Sequence, residues 1–357
     1  MKKRERIWTR RCNMEKQSIT TSQKIRQSNI ELCRILSILL VVLVHSQMTV
    51  FGVPRAEGMD TLLVYGLESL SIIGVNVFVL ISGYFSIRLK IKNIVNLLYI
   101  CLFYMTLLNI LRLATDTMEL KYLFFISQSN WFIPRYIGLM ILSPVLNAFC
   151  DKAEKKTFQF VVISITLFSC YWGFLLHRWW PDFHNGYSLI HFCILYLIAR
   201  YFKLYGFGLF NNFNNLAGYI FSTLILTSAA YLLAIKDIKE SMVWRIFDYN
   251  NPVVLFSSIC FFIAFAKLNI PANKTINLMA QSTLAVLLLH THKVLSVYIK
   301  DFYRYIKEQN IFIYFIGMLF CLSGILIISV LVDQIRIKSF NYLYNKLEKY
   351  GISNSTL

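Results

Sequence analysis

Long apolar runs, each bounded by a short polar segment, recur from residue 29 almost to the end of the chain. A helix needs about 20 mainly apolar residues to cross the hydrocarbon core. Lipid offers backbone amides no outside partner, so each run predicts a membrane-spanning helix. The short alternating segments of a closed barrel are absent. The pattern predicts ten spans, at 29–51, 62–85, 94–114, 131–149, 158–176, 187–204, 216–235, 252–266, 278–297 and 311–331. The expected fold class is therefore all-α, a polytopic bundle of about ten transmembrane helices. After Asp333 the apolar positions Ile335, Ile337, Phe340, Leu343, Tyr344 and Leu347 alternate with Lys and Arg, a spacing that fits an amphipathic helix lying on a membrane surface. The domain plan is a basic tail at 1–28, a transmembrane domain at 29–333 and a basic amphipathic tail at 334–357.

Composition supports this plan. Hydrophobic residues make up 57% of the 357 and charged residues only 15%, against about 45–50% and about 25% in soluble domains. The net charge of +18 sharpens the topology. With the N-terminus in the cytoplasm, inner segments hold 23 of the 36 basic residues but 5 of the 18 acids, so the whole excess sits on one side. That partition predicts an even number of spans and two cytoplasmic termini, in a multi-pass protein of a bacterial inner membrane. Topology and attraction to anionic lipid head groups explain the basicity without nucleic acid. The eight cysteines fall in spans or inner flanks, which implies no disulfide framework. The polar first 28 residues read as a retained tail, with no signal-peptide core.

Ionisable side chains inside hydrocarbon are costly and mark functional positions. The first span carries Glu31, Arg34 and His45. Arg34 lies near the inner end, and His45 stands eleven residues on. That is about 16 Å along the axis and close to three turns, so both share one face. Glu31 and Arg34, at i and i+3, are also placed to neutralise each other, and a lone histidine in a span serves equally in helix packing. The second span ends in Ser82-Gly83-Tyr84 at the depth of Arg34. Glu68, deeper in that span, needs a partner, and Arg135 in the fourth span lies at suitable depth. His290 of the ninth span falls at about the depth of His45, which suggests one shared polar cavity. Trp131, Phe132, Trp172, Trp179, Trp180 and Tyr187 sit at outer ends, where an interfacial belt and a sugar-stacking surface both place aromatic residues. The constellation calls for no metal.

Five segments in order resemble the acyltransferase-3 family of integral-membrane acyltransferases, and most of all its surface-polysaccharide O-acetyltransferase branch. They are 29–46 with its Arg-to-His spacing, 74–84 ending in Ser-Gly-Tyr, 131–147 with Tyr136, Ser143, Pro144 and Asn147, 195–205, and 282–290 ending in His290. Asn76 stands where much of the wider family has Asp, and Ala285 and Leu287 replace the usual Gly and Tyr before the last histidine. The resemblance implies transfer of an acyl group, usually acetyl from acetyl-CoA, to a hydroxyl of a glycan or its lipid-linked precursor. By matching position His45 becomes the catalytic histidine and Arg34 the donor-site arginine, with Ser82 and Tyr84 on the donor side. Arg34 is then expected to clamp the coenzyme phosphates. His45 is expected to act as general base or to carry the acetyl group itself. His290 or Asn76 would support the developing oxyanion, and Glu68 and Arg135 would assist. Acetyl-CoA, the glycan acceptor and membrane lipids are the expected partners, with oligomeric state open. The competing classes are a flippase or transporter of lipid-linked sugars, which needs no acyl donor, and a polysaccharide polymerase.

Overall fold

The computed structural model of the protein describes residues 26–113, 131–176 and 183–349. Most of the basic tail at 1–25, the predicted outer loop at 115–130, Trp179, Trp180 and the final residues 350–357 lie outside the described residues. Among those described the chain is all-helical. The helices are α1 (Ser28–Val44), α2 (Met48–Phe51), α3 (Met59–Ser71), α4 (Gly74–Phe85), α5 (Ile91–Leu113), α6 (Phe132–Lys152) and α7 (Lys155–Phe168), the last continued by a wider turn over Ser169–Leu175. They are followed by α8 (Leu189–Tyr205), α9 (Asn215–Ile235), α10 (Glu240–Arg245), α11 (Pro252–Ala266), α12 (Lys274–Gln281), α13 (Thr283–His290), α14 (Lys293–Lys307) and α15 (Ile311–Lys349).

Seven helical stretches among the described residues are long and apolar enough to cross a membrane, and Pro252–Ala266 is apolar but shorter. Phe160 and Leu167 on α7, Phe221 on α9, and Phe312, Phe320 and Leu331 on α15 stand more than half exposed. Such apolar outer faces suit lipid contact. The centre is built from α1, α4 and α8. Gly74 lets α4 meet α1, because a Cβ there would lie 2.7 Å from the Ser37 carbonyl oxygen and 2.8 Å from Val41 Cγ2. At the other end of α4, a Cβ on Gly83 would lie 2.6 Å from the Tyr196 carbonyl oxygen of α8. Asn147 of α6 ties the same region together. Its Oδ1 accepts from Tyr196 Oη at 2.6 Å and Ser86 Oγ at 3.1 Å, and its Nδ2 donates to the Ile87 carbonyl at 2.9 Å.

Several predicted spans are broken where the hydropathy is continuous. The first stops at His45, the C-terminal cap of α1, and resumes as the single turn α2. Irregular backbone at membrane depth is tolerated only where protein satisfies it. Here Glu68 Oε2 accepts from the Met48 amide at 3.1 Å, Ser46 Oγ donates to the Leu43 carbonyl at 2.7 Å, and Tyr314 Oη donates to Gln47 Oε1 at 3.2 Å. The second span is interrupted at Ile72–Ile73, the bend that seats Gly74 on α1. The predicted ninth span is three helices, α12, α13 and α14, separated at Ser282 and at Thr291–His292. Helix then continues through a stretch expected to be loop, as far as Lys307.

The last span does not end near residue 331. It runs without interruption to Lys349 as α15. The apolar face expected to lie on a membrane surface is partly covered by α5 instead: Phe340 and Tyr344 are buried, and Tyr99 Oη lies 2.8 Å from Ser339 Oγ. A buried ion pair fixes this packing. Arg336 meets Asp333 in a fork, Nε to Oδ1 at 2.9 Å and Nη2 to Oδ2 at 2.8 Å. Its Nη1 donates to Asn96 Oδ1 at 3.0 Å, and Tyr104 Oη donates to Asp333 Oδ1 at 3.0 Å.

Candidate functional site

The face of α1 that carries Arg34, Ile38, Val41 and His45, spaced four, three and four residues apart, lines two adjoining cavities. The first is a polar cleft of about 490 Å³ where the start of α1, α5 and the far half of α15 meet. Arg26, Arg34, Lys92 and Arg336 bring positive charge to its walls, Glu31 one negative, and Phe78, Phe132 and Tyr136 form its aromatic side. Because the start of α1 and the end of α15 share this cleft, the two ends of the described chain lie at one end of the bundle. The second cavity is a smaller chamber of about 120 Å³ lined by Ile38, Val41, His45, Val75 and Leu287. Trp131, Tyr187 and Tyr249 line it too. Phe78, Phe132, Thr283 and Leu284 belong to both linings, so the cleft and the chamber adjoin across these side chains.

Of the cations in the cleft, Arg336 is committed to Asp333 and Asn96. Arg26 Nη1 donates to the Asn277 carbonyl at 3.0 Å, and the Lys92 ammonium sits over the Tyr344 ring. Arg34 Nε lies 3.1 Å from Glu31 Oε2, but its N–H is not aimed at the carboxylate and is buried without a hydrogen-bond partner. Its guanidinium also lies over the Phe78 ring, 5.7 Å from the centroid. Arg34 lines the cleft, and its pairing with Glu31 leaves the Nε donor unspent.

At the far end, His45 Nδ1 lies 3.0 Å from His290 Nε2. His290 Nδ1 lies 2.6 Å from the Val286 carbonyl oxygen, one helical turn back on α13. A carbonyl only accepts, so His290 Nδ1 carries the proton in the neutral ring and its Nε2 is a lone pair. His45 must then donate through Nδ1, which leaves His45 Nε2 as an unprotonated acceptor. The backbone of α13 thus sets the tautomer of an imidazole on α1. Thr49 Oγ also donates to the His45 carbonyl across the helix break. The sequence places the two histidines at one depth, and the structure brings them into contact.

Other predicted residues take different places. Glu68 does not pair with Arg135: its Oε2 serves the Met48 amide, while Arg135 Nη1 donates to the Trp131 carbonyl at 3.2 Å. Asn76 is fully buried, Nδ2 donating one proton to the Tyr249 carbonyl and Oδ1 accepting from His191 Nε2, each at 3.0 Å, and it lines neither the cleft nor the chamber. His290 has both nitrogens occupied and orients His45. Ser82 lies 3.3 Å from Tyr136 Oη and so stands behind the cleft wall. Tyr84 does not line the cleft; it stacks on Phe207 with the Lys203 ammonium over its ring. Trp131, Phe132 and Tyr187 line the chamber, whereas Trp172 stacks on Phe168 elsewhere. Lys92 and Arg336 were not among the sequence candidates, since nothing in linear spacing brings residues so distant in the chain to α1. His191 gave no signal either.

Comparison with known proteins matches residues 27–331 to the family model described as an acyltransferase domain, the third acyltransferase family. No curated protein and no solved structure matches.

Proposed function

As the chain belongs to the acyltransferase-3 family and is a multi-pass membrane acyltransferase, we propose that it moves an acetyl group from acetyl-CoA to a hydroxyl of a cell-surface glycan or its lipid-linked precursor. The carrying observation is the unbroken stripe Arg34–Ile38–Val41–His45 lining a polar cleft at one end and a mainly apolar chamber at the other. In this proposal the cleft opens to the cytoplasm of a bacterial cell, with both termini on that side, as the charge bias of the sequence suggests. Arg26, Arg34 and Lys92 bind the coenzyme phosphates through charge-assisted hydrogen bonds. The pantetheine arm follows α1 past Phe78 and Thr283, and the thioester lies in the chamber beside His45.

His45 Nε2, held bare by the bond from Nδ1 to His290, takes the proton of the acceptor hydroxyl as that oxygen attacks the thioester carbonyl. The tetrahedral intermediate then collapses with cleavage of the C–S bond. The coenzyme leaves as thiolate and recovers the proton from the His45 imidazolium, so acid and base balance within the turnover. His290 is a positioning residue, since it meets His45 and not the reacting atoms.

The test is coenzyme A release and acetyl transfer by purified protein in detergent, comparing wild type with His45→Ala. A general base contributes about 10²–10⁴-fold, so the variant is expected to lose at least about a hundredfold while remaining folded. Equal rates in the two proteins would exclude His45 from the chemistry and return the flippase and polymerase classes to consideration.

A further inference from the structure

Behind His45, on the side away from the chamber, lies a third cavity of about 180 Å³. Its wall consists of Val42, His45, Thr49, His290, Thr291, Ser296, Ile299 and Lys300, from α1, α2, the end of α13 and α14. Only His45 and Thr291 line both this cavity and the chamber, so the imidazole forms part of the partition between them. The volume is that of about six waters, enough for one sugar ring and too little for a coenzyme. It also stands beyond His45 from the cationic cleft.

One cation dominates the lining: Lys300 brings an ammonium, Thr49 and Thr291 spend their hydroxyl protons on the His45 and Leu287 carbonyls, and no carboxylate among the described residues lines the space. Lys300 is half-buried and forms no salt bridge among the described residues. The nearby carboxylate of Asp301 is taken by Arg304 at 2.8 Å. A partly desolvated ammonium without a counter-charge is a binding element for an anion.

We infer that this cavity is the acceptor site and that Lys300 selects a saccharide acceptor bearing a carboxylate or phosphate. The anion rests on Lys300, Thr49 Oγ accepts from a neighbouring hydroxyl, and a ring hydroxyl reaches the Nε2 edge of His45 where this cavity adjoins the chamber that holds the thioester. The inference rests on the acyl-transfer proposal and adds the substrate class to it. A uronic-acid residue and the phosphate of a lipid-linked intermediate share the required chemistry.

Three probes separate the possibilities: methyl glucoside, methyl glucuronide and glucose 1-phosphate, each titrated by ligand-observed NMR into the full-length protein. Wild type is expected to bind at least one anionic probe about tenfold tighter than the neutral glucoside, the scale of one charge-assisted hydrogen bond. Which anion is preferred distinguishes an acidic sugar from a glycosyl phosphate. Lys300→Met should erase the preference and Lys300→Arg should keep it. Equal binding of all three by wild type, no binding of any, or a preference that survives in Lys300→Met overturns the inference. Coenzyme A release is followed in parallel: if it proceeds without His45, acyl transfer at this centre fails, whereas His45-dependent release with no anion preference leaves acyl transfer standing and removes only the role of Lys300.

Discussion

Replacing His290 by Phe removes one acceptor while keeping a ring of similar shape on α13. In the native structure His290 Nε2 receives the Nδ1 proton of His45 at 3.0 Å. His290 is 4% exposed, so bulk solvent does not reach that bond, and only water held in the cavity of about 180 Å³ behind it could take the bond over. Phe leaves the part-buried His45 donor without its partner, which costs up to about 1–3 kcal/mol where cavity water does not replace it. The ring is then free to turn or to change tautomer, presenting N–H where the lone pair is required. If the whole penalty falls on the reactive orientation, kcat drops about 5- to 150-fold. The other hydrogen bond of His290 goes to a carbonyl that already lies within α13, so its loss adds little. The assay is steady-state acetyl transfer with varied acetyl-CoA. The Arg34 cleft is untouched, so the loss is expected in kcat with little change in KM for the donor. His290→Gln restores an acceptor near the position of Nε2 and should recover much of the rate. Equal damage in Phe and Gln variants, or a loss carried by donor KM, would refute the tautomer argument. Thermal unfolding of each variant separates misfolding from mispositioning.

Arg34→Ala should raise the KM for acetyl-CoA about tenfold or more, with kcat falling less, because the charge-assisted bonds lost are those to the donor phosphates; direct titration of coenzyme A checks this, and unchanged donor affinity would contradict it. Asp333→Ala strands Arg336, whose side chain is 5% exposed, and should destabilise the protein by about 3–5 kcal/mol, as breaking one side of a buried pair does. A melting temperature equal to wild type would show that water or another group reaches Arg336.

The sequence makes the stripe legible because helical geometry acts along a single stretch of chain. A step of eleven residues from Arg34 to His45 returns nearly to one azimuth, and they line adjoining cavities. The start of α11 was also legible, since Pro252 with its Asn251 cap begins it where predicted. Breaks were not. Residues 45–47 and 72–73 lie inside continuous apolar runs, and what stabilises the first of them is Glu68 and Tyr314, brought there by folding. Depth in the membrane was a fair guide to which residues share a layer, but not to which face each other. Glu68 and Arg135 were matched by depth and found separate partners; His45 and His290 were matched by depth and touch. Besides Arg26, the cleft's remaining cations come from α5 and α15, which the buried Asp333–Arg336 pair joins through Tyr104 and Asn96, and local patterning carries no trace of that contact.

The most direct measurement is a cryo-EM structure of the protein in nanodiscs with a hydrolysis-resistant acetyl-CoA analogue whose thioester sulfur is replaced by methylene. The phosphates are expected between Arg34, Arg26 and Lys92, with the arm running past Phe78 and Thr283 and the carbonyl carbon beside His45 Nε2. Analogue bound outside the cleft, or an acetyl group ending away from His45, would contradict the proposed path from coenzyme to imidazole.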